Sequence, residues 1–303
     1  MFKGPSSHRT AVLQALLVTL LWSTSWVLIK FGLAEIPALT FAGLRYSLAF
    51  LVLLPISMRR ESRSALSRLS GKGWARLLLL GLLYYTLTQG ALFVSLAYLP
   101  AVTVSLLLNL SPVVVALLGL MFLNERPGWG QWAGVALSIA GTLVYFSPAA
   151  SPAGRLLGLA AALVGLLSNS LATVLGRQAN RSGDLPPLAV TVVSMGFGSF
   201  LMLGTSLALE GLPRLSLQSW GIIAWLAVVN TAFAFTLWNH TLRTLPAVES
   251  SVINNTMLIQ IAVLAWLFLG ERLTRQAILG MAVAGAGALV VQLRRARSGT
   301  ARG

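Results

Sequence analysis

Residues Leu99–Val144 read LPAVTVSLLLNLSPVVVALLGLMFLNERPGWGQWAGVALSIAGTLV, and residues Leu245–Val290 read LPAVESSVINNTMLIQIAVLAWLFLGERLTRQAILGMAVAGAGALV. Aligned without a gap at an offset of 146, the two stretches match at 18 of 46 positions. The matches include a proline, an asparagine and a glutamate, at Pro100/Pro246, Asn109/Asn255 and Glu125/Glu271. Both copies are apolar enough to lie in a membrane, and a duplicated membrane unit is typical of secondary transporters.

The whole chain has the composition of an all-α integral membrane protein. Of its 303 residues, 56% are hydrophobic and 10% are charged, and the mean hydropathy is +0.82. The apolar residues come in runs of about twenty, which is the length of a helix that crosses a hydrocarbon core of ~30 Å. Ten transmembrane helices are predicted, at 11–31, 38–57, 74–97, 102–122, 129–146, 156–178, 188–209, 218–240, 247–269 and 276–293.

Positive charge is concentrated in alternate loops. The formal net charge is +15, and Lys and Arg collect in the cytoplasmic loops of membrane proteins. With the N-terminus inside, sixteen basic residues fall in cytoplasmic segments and four in outer loops, at Arg155, Arg214, Arg272 and Arg275. This asymmetry predicts a multi-pass protein with both termini cytoplasmic, and it assigns the charge to the membrane surface rather than to nucleic acid.

The offset of 146 contains five predicted crossings, so the two copies would enter the membrane from opposite sides. This is an inverted-topology repeat, an arrangement that favours alternating access. The predicted organisation is a cytoplasmic N-terminus at 1–10, a five-helix repeat at 11–146, an external linker at 147–155, a second five-helix repeat at 156–293 and a basic tail at 294–303. The expected partners are the lipid bilayer and a small-molecule substrate, for a monomer or weak homodimer with no cofactor, metal or ATP.

Polar and aromatic side chains inside the spans are candidates for the substrate path, because polar groups in membrane helices tend to face the bundle interior or a wet cavity. The candidates are Trp22, Ser25, Tyr84, Tyr85, Gln89, Asn109, Asn169, Trp238, Asn254 and Asn255. At α-helical spacing, Tyr84 would stack with Thr88 and Tyr85 with Gln89. The alternative is that the Ser and Asn side chains only join helices by hydrogen bonds.

The aromatic candidates favour an aromatic substrate, since rings that line a pocket can stack on an indole or phenyl group. Tyr85 is the preferred single contact. The competing interpretation is an interfacial aromatic belt, although Tyr84 and Tyr85 lie in mid-span. Pro112 removes a backbone hydrogen bond in the fourth span and is a candidate for gating, with a plain packing kink as the alternative. The second copy has Leu258 at the equivalent place.

Charged residues are nearly absent from the spans. Lys30 and Arg45 are the basic residues there, and Arg45 could bind a substrate carboxylate. Snorkelling of both side chains to the outer surface, or capping of carbonyls, is the favoured alternative. All seven carboxylates fall in loops or at span ends. A proton-driven pump usually carries an ionisable group near the midplane, so facilitative transport is favoured, and Glu125–Arg126 and Glu271–Arg272 are predicted to form hinge or capping pairs.

The fifth and tenth spans contain the small-residue stretches AGVALSIAG at 133–141 and GMAVAGAGALV at 280–290. Small residues every four positions permit close helix contact. Packing of the two spans within one chain is favoured over a seam between two copies.

The stretch LLWSTSWVLIKFGLAEIPALTFAGLRY, from Leu20, resembles the first-span signature of the drug/metabolite transporter superfamily. The pattern LPAV…S…N…P…LNERP…G…AG, from Leu99, resembles the end of its EamA-like domain. Two such domains in tandem resemble the ten-helix exporters, and among these the aromatic amino-acid exporter branch is most similar. The resemblance implies export of amino acids or related metabolites across a bacterial-type inner membrane. Efflux of drug-like cations is the alternative it leaves open.

Two other functional classes are disfavoured by the residues. An enzyme would have few catalytic groups available, because the chain has two histidines, no cysteine and no carboxylate in mid-span. HExxH and Walker-type phosphate loops are absent from the sequence, which argues against an ATP-driven pump. A channel would normally show a charged or carbonyl-lined filter.

Overall fold

The computed structural model describes residues 7–57, 60–123, 128–146, 153–181, 186–211 and 213–300, and these ranges contain helices and turns with no strand. The helices are α1 His8–Gly32, α2 Ala38–Ser57, α3 Arg60–Ser67, α4 Gly71–Tyr98, α5 Ala101–Leu108, α6 Ser111–Leu123, α7 Trp129–Phe146, α8 Ala153–Arg181, α9 Pro187–Glu210, α10 Leu217–Thr241, α11 Ala247–Leu269 and α12 Arg275–Thr300.

Eight helical segments in the described ranges are long and apolar enough to cross a membrane. They are α1, α2, α4, the α5–α6 pair, α8, α9, α10 and α11. The predicted all-helical, multi-pass membrane protein is therefore confirmed. The remaining two predicted spans correspond to α7 and to the shorter apolar part of α12, Arg275–Val291, and the count of ten crossings stays a prediction.

The chain divides into two compact units, and neither coincides with one sequence repeat. Unit one consists of Met1–Val27, Leu99–Leu156 and Phe233–Gly303, and unit two consists of Leu28–Tyr98 and Leu157–Ala232. Each unit therefore takes helices from both repeats.

Unit one is built on close packing of α7 against α12, which share small residues at their contact. A Cβ added to Gly134 would lie 2.8 Å from the Gly287 carbonyl oxygen, and one added to Gly280 would lie 2.7 Å from the Tyr145 nitrogen and 2.8 Å from the Gly141 carbonyl oxygen. Only glycine permits backbones to approach this closely. The predicted intramolecular packing of the two small-residue stretches is confirmed.

The α7–α12 contact is reciprocal. Gly134 faces Gly287, and Gly141 faces Gly280. At the offset of 146, Gly134 is equivalent to Gly280 and Gly141 is equivalent to Gly287. Exchanging the two helices therefore turns one contact into the other. The Ser138 hydroxyl donates to the carbonyl oxygen of Ala284, its own equivalent, at 3.3 Å. Such exchange of partners is what a local two-fold relation between two helices produces.

Unit two is built on packing of α2 against α9. A Cβ on Gly43 would lie 2.8 Å from the Leu203 Cα, and the Thr40 and Ser206 hydroxyls are hydrogen-bonded to each other. The Phe50 and Phe200 rings meet edge to face at 5.5 Å between centroids. The middle of α4 also contacts α9, where the Thr86 hydroxyl donates to the Gly198 carbonyl oxygen at 2.8 Å.

The fourth predicted span is broken. Its two helices, α5 and α6, are separated by a turn at Asn109 and Leu110, and Pro112 is the second residue of α6. Proline is tolerated there, because the first helical N–H groups have no partner within the helix. Helix α11, with Leu258 at the equivalent position, is continuous.

Glu271 acts as a helix cap, although not for its own helix. Its carboxylate accepts hydrogen bonds from the backbone nitrogens of Ala101 at 2.6 Å and Val102 at 3.1 Å, at the start of α5. A carboxylate at a helix N-terminus pairs with unsatisfied N–H groups and with the positive end of the helix dipole. The structure thus gives Glu271 a capping role at α5 rather than the predicted local pair with Arg272. The predicted Glu125–Arg126 pair lies outside the described residues.

Candidate functional site

Both α4 and α10 contain a π-helical segment in the middle of the span, at Gly81–Gln89 and Val228–Phe233. At the offset of 146 the first segment corresponds to 227–235 in the second repeat. In each, a threonine hydroxyl donates to the carbonyl oxygen five residues earlier, at 2.8 Å, from Thr88 to Leu83 and from Thr231 to Leu226. Such segments are rare, and they are frequent at functional sites.

The π-helical turn corrects one prediction. Tyr84/Thr88 and Tyr85/Gln89 do not have the α-helical spacing expected from the sequence, because the wider turn rotates successive side chains by less than an α-helix does. Gln89 is buried at the end of the segment, whereas Tyr84 is half-buried.

Arg45 on α2 is buried within unit two, with 4% of its surface exposed. Its Nε donates to the Thr231 hydroxyl at 3.2 Å. Its guanidinium carbon lies 5.0 Å from the Tyr46 ring centre and 6.0 Å from that of Phe93. The favoured prediction that Arg45 snorkels to the surface is wrong, because its side chain turns towards packed aromatic rings and a hydroxyl acceptor.

Three tyrosine rings contact one another in a row that begins beside this guanidinium. The Tyr46 and Tyr85 rings meet at 5.6 Å between centroids, and the Tyr85 and Tyr84 rings at 5.1 Å, both edge to face. Tyr85 is only 3% exposed, and a Cβ added to Gly198 would lie 2.8 Å from the Tyr85 Cβ. Of the two predicted tyrosine contacts, Tyr84 is therefore the less buried residue.

Unit one holds a second aromatic group. The Trp22 ring lies 5.3 Å from Trp238 and 5.4 Å from Phe235, tilted against both. The two tryptophans pack on the buried side chains of Val18 and Leu237, yet both remain half-buried. The structure therefore brings together two of the residues that the sequence selects for ring stacking.

A polar network in unit one includes residues outside the predicted candidate set. The Ser23 hydroxyl donates to the Gln260 side-chain oxygen at 2.9 Å, and the Gln260 side-chain nitrogen donates to Thr19 at 3.2 Å and Thr256 at 3.0 Å. The network joins α1 to α11. Its sequence signal is the presence of polar residues in two otherwise apolar runs, which is shared with many residues that only join helices.

The other candidates occupy different environments. Asn109 is half-buried at the turn after α5, Asn254 is exposed on α11, and its neighbour Asn255 is half-buried and lines a largely apolar cavity of about 500 Å³ beside α12. Ser25 is buried and donates to the Leu21 carbonyl oxygen at 3.4 Å. By unit, Tyr84, Tyr85, Gln89 and Asn169 belong to unit two, and Trp22, Ser25, Asn109, Trp238, Asn254 and Asn255 belong to unit one.

Comparison with known proteins assigns the family. The sequence model of the EamA-like transporter family matches residues 9–147 and again residues 156–293. The chain belongs to the EamA-like transporter family. This family match agrees with the drug/metabolite transporter resemblance of the first-span and LPAV motifs.

Relatives and a solved structure extend the family comparison. An uncharacterized transporter of Bacillus subtilis is 25% identical over 87% of this chain and 90% of the relative. A probable amino-acid metabolite efflux pump of Escherichia coli is 27% identical over 78% of this chain and 79% of the relative. A crystal structure with 19% sequence identity covers 97% of this chain and 99% of its own, with a TM-score of 0.66, and shows that the fold is shared.

Proposed function

We propose that this member of the EamA-like family is a secondary transporter that exports amino acids, with a preference for aromatic side chains, across a bacterial-type inner membrane. The observation that carries the proposal is the presence of half-buried aromatic rings inside apolar helices, namely Trp22, Trp238 and Tyr84. Such rings can stack on an indole or phenyl group. The Escherichia coli relative, a probable amino-acid metabolite efflux pump, supports the substrate class.

Alternating access between two inverted five-helix repeats, with ten crossings, is the proposed mechanism. Three features support the inverted repeat: the reciprocal α7–α12 contact, the two π-helical segments, and matching N-caps. The Ser70 hydroxyl accepts from the Gly73 nitrogen at the start of α4, and the Ser216 hydroxyl accepts from the Ser219 nitrogen at the start of α10, at the offset of 146. Inverted repeats supply two related conformations of one fold.

Export of drug-like cations is the second candidate, because the faces of aromatic rings also attract cations. The sequence disfavours it, since all seven carboxylates lie in loops or at span ends and a transported cation would have no anionic partner within the spans. Transport down the substrate's own gradient is also part of the proposal, because no carboxylate lies in mid-span to carry a coupled proton.

Counterflow into vesicles reconstituted with the purified protein tests the proposal. We expect saturable uptake of labelled phenylalanine, tyrosine and tryptophan, weaker uptake of leucine, and none of a lipophilic cation such as tetraphenylphosphonium. Tyr84→Ala should raise the half-saturation concentration for phenylalanine by roughly 2- to 10-fold, the value of one aromatic contact. The matched control is Trp129→Ala, because Trp129 is 92% exposed at the start of α7.

The possible outcomes separate the alternatives. Absence of uptake for every amino acid tested would contradict the substrate assignment. Uptake of the cation with no uptake of amino acids would support the second candidate, and flux that fails to saturate would favour a channel. If the half-saturation concentration is unchanged in Tyr84→Ala, Tyr84 only packs against its neighbours and does not contact the substrate. Imposing a pH gradient in the same vesicles measures whether protons are coupled, and a dependence of accumulation on that gradient would contradict facilitative transport.

A further inference from the structure

We propose that Arg45 binds the carboxylate of the transported amino acid, which makes it the residue that selects carboxylates over amines and amides of the same shape. The inference rests on the proposed amino-acid export and names one anchor of its site. Arg45 is a buried cation whose partners in the protein use only part of its hydrogen-bonding capacity.

A guanidinium has five N–H donors. Among the residues that the structure describes, Arg45 makes one hydrogen bond through them, from Nε to the Thr231 hydroxyl at 3.2 Å. That hydroxyl donates its own proton to the Leu226 carbonyl oxygen at 2.8 Å. Thr231 thus fixes one edge of the guanidinium from the π-helical segment of α10, and the two terminal nitrogens remain as a fork for an incoming ligand.

The carboxylates of known position are engaged elsewhere. Glu35 accepts from Ser216 and Ser219, and Glu249 pairs with His8 at 2.8 Å. Glu271 accepts from the start of α5. Within the described part of the chain, the charged group of Arg45 is therefore not balanced by a protein anion.

Cation–π contact with the Tyr46 and Phe93 rings lowers the cost of this burial, yet an ion removed from water is fully compensated only by an opposite charge with good hydrogen-bond geometry. An intramembrane ionisable residue marks a functional site by default. Of the anions available to an amino-acid carrier, the substrate carboxylate fits best, because the planar guanidinium fork matches the two carboxylate oxygens.

The neighbouring rings agree with this placement. From Arg45, the Tyr46, Tyr85 and Tyr84 rings follow one another in edge-to-face contact, and Tyr84, the last, is the half-buried one. A substrate anchored by its carboxylate on the guanidinium would extend its side chain along this aromatic row. The arrangement accounts for both proposed preferences, for a carboxylate and for an aromatic group.

Vesicle uptake of three ligands that share one ring tests the inference: phenylalanine, phenylalaninamide and phenethylamine. The wild-type protein should transport phenylalanine and discriminate strongly against the two ligands that lack a carboxylate. Arg45→Gln should lower kcat/KM for phenylalanine by at least tenfold, the expected loss for a charge-assisted contact, and should largely abolish the discrimination. Arg45→Lys keeps the charge and loses the fork. Its kcat/KM for phenylalanine and its discrimination should lie between those of the wild type and of Arg45→Gln.

Two further variants separate binding from packing. Thr231→Val, which frees the Nε edge, should raise the KM for phenylalanine while leaving discrimination in place. Arg76→Gln, at an exposed basic residue, is the matched control and should behave like the wild type. Thermal unfolding of each variant in detergent reports whether it folds. If Arg45→Gln does not fold, the ratio of phenylalanine to phenylalaninamide uptake in Arg45→Lys decides.

The outcomes distinguish this inference from the proposed function. If the wild-type protein transports phenylalanine and Arg45→Gln or Arg45→Lys keeps the wild-type ratio of acid to amide, the carboxylate assignment is overturned and amino-acid export stands. If the wild-type protein transports none of the amino acids, amino-acid export itself fails. A reduced ratio together with a wild-type unfolding temperature supports the assignment, because a merely structural arginine would not change ligand discrimination at constant stability.

Discussion

Glu35 shows how a single carboxylate can join two segments outside the membrane-spanning helices. It lies between α1 and α2 and accepts hydrogen bonds from the Ser216 hydroxyl at 2.7 Å and the Ser219 hydroxyl at 2.6 Å. These bonds stabilise the ionised form and lower the pKa of Glu35 below its ordinary value of 4.5. The same Ser216 caps α10, so the carboxylate also lies at the positive end of that helix.

We predict that Glu35→Ala lowers the unfolding temperature at neutral pH. Because the folded-state pKa is depressed, the contribution of Glu35 is fully present above pH 4.5 and is lost as the pH falls through the lowered value. Unfolding temperatures of wild type, Glu35→Ala, Ser216→Ala and the double variant, measured in detergent across this range, check the prediction. An equal difference between wild type and Glu35→Ala at neutral pH and well below the lowered pKa would contradict it.

Residue types could be selected from the sequence, but their orientation could not. The pairing of Trp22 with Trp238 involves two residues selected for ring stacking. For Arg45, sequence position gives a depth of about 10 Å, from the rise per residue, and this depth permits snorkelling. Whether the side chain faces lipid or protein depends on how α2 rotates against its neighbours, which a uniformly apolar helix does not reveal.

At the scale of elements, the α7–α12 contact depends on backbone approach at glycine. We predict that Gly280→Ala destabilises the protein by about 1–3 kcal/mol, the usual cost of overpacking, since its Cβ would lie 2.7 Å from the Tyr145 nitrogen. Gly204→Ala, in α9, is the matched control, because nothing lies within 4 Å of its added Cβ. It should stabilise by up to about 1 kcal/mol through helix propensity.

Thermal or denaturant unfolding in detergent measures both glycine variants. An unfolding temperature for Gly280→Ala equal to that of Gly204→Ala would show that α7 and α12 can separate without cost, and it would remove close packing as the reason for the small residues. A lower unfolding temperature in Gly280→Ala alone would support close packing as the reason for the small residues.

Helix interruptions were only partly readable from the sequence. Pro112 predicts a kink in the fourth span, and the structure has a turn at Asn109 and Leu110 just before it. The role of Pro112 in gating stays a prediction. The π-helical segments of α4 and α10 carry no comparable signal. In a run where nearly every residue is apolar, the difference between α-helical and π-helical periods leaves no pattern of polar and apolar positions to detect.

At the scale of the whole molecule, the sequence repeats and the compact units divide the chain at different places. Identity between two stretches reports their common origin, whereas compactness reports which helices touch. Equivalent helices pack on each other, α7 with α12 and α2 with α9, so each unit draws from both repeats. The repeat was visible in the sequence, but this exchange was not, because nothing in an alignment of two copies says which surfaces meet.

The inverted topology makes a prediction that the absence of cysteine makes simple to test. Gly128 and Thr274 are equivalent at the offset of 146 and both are exposed. In the proposed arrangement, Thr274→Cys should react with a membrane-impermeant maleimide in intact cells, whereas Gly128→Cys should react only after the membrane is opened. Labelling of both from the same side would contradict the inversion. Gly128 and Thr274 lie directly before α7 and α12 at equivalent positions. Labelling from the same side would therefore also mean that the reciprocal α7–α12 contact does not come from a two-fold axis in the membrane plane.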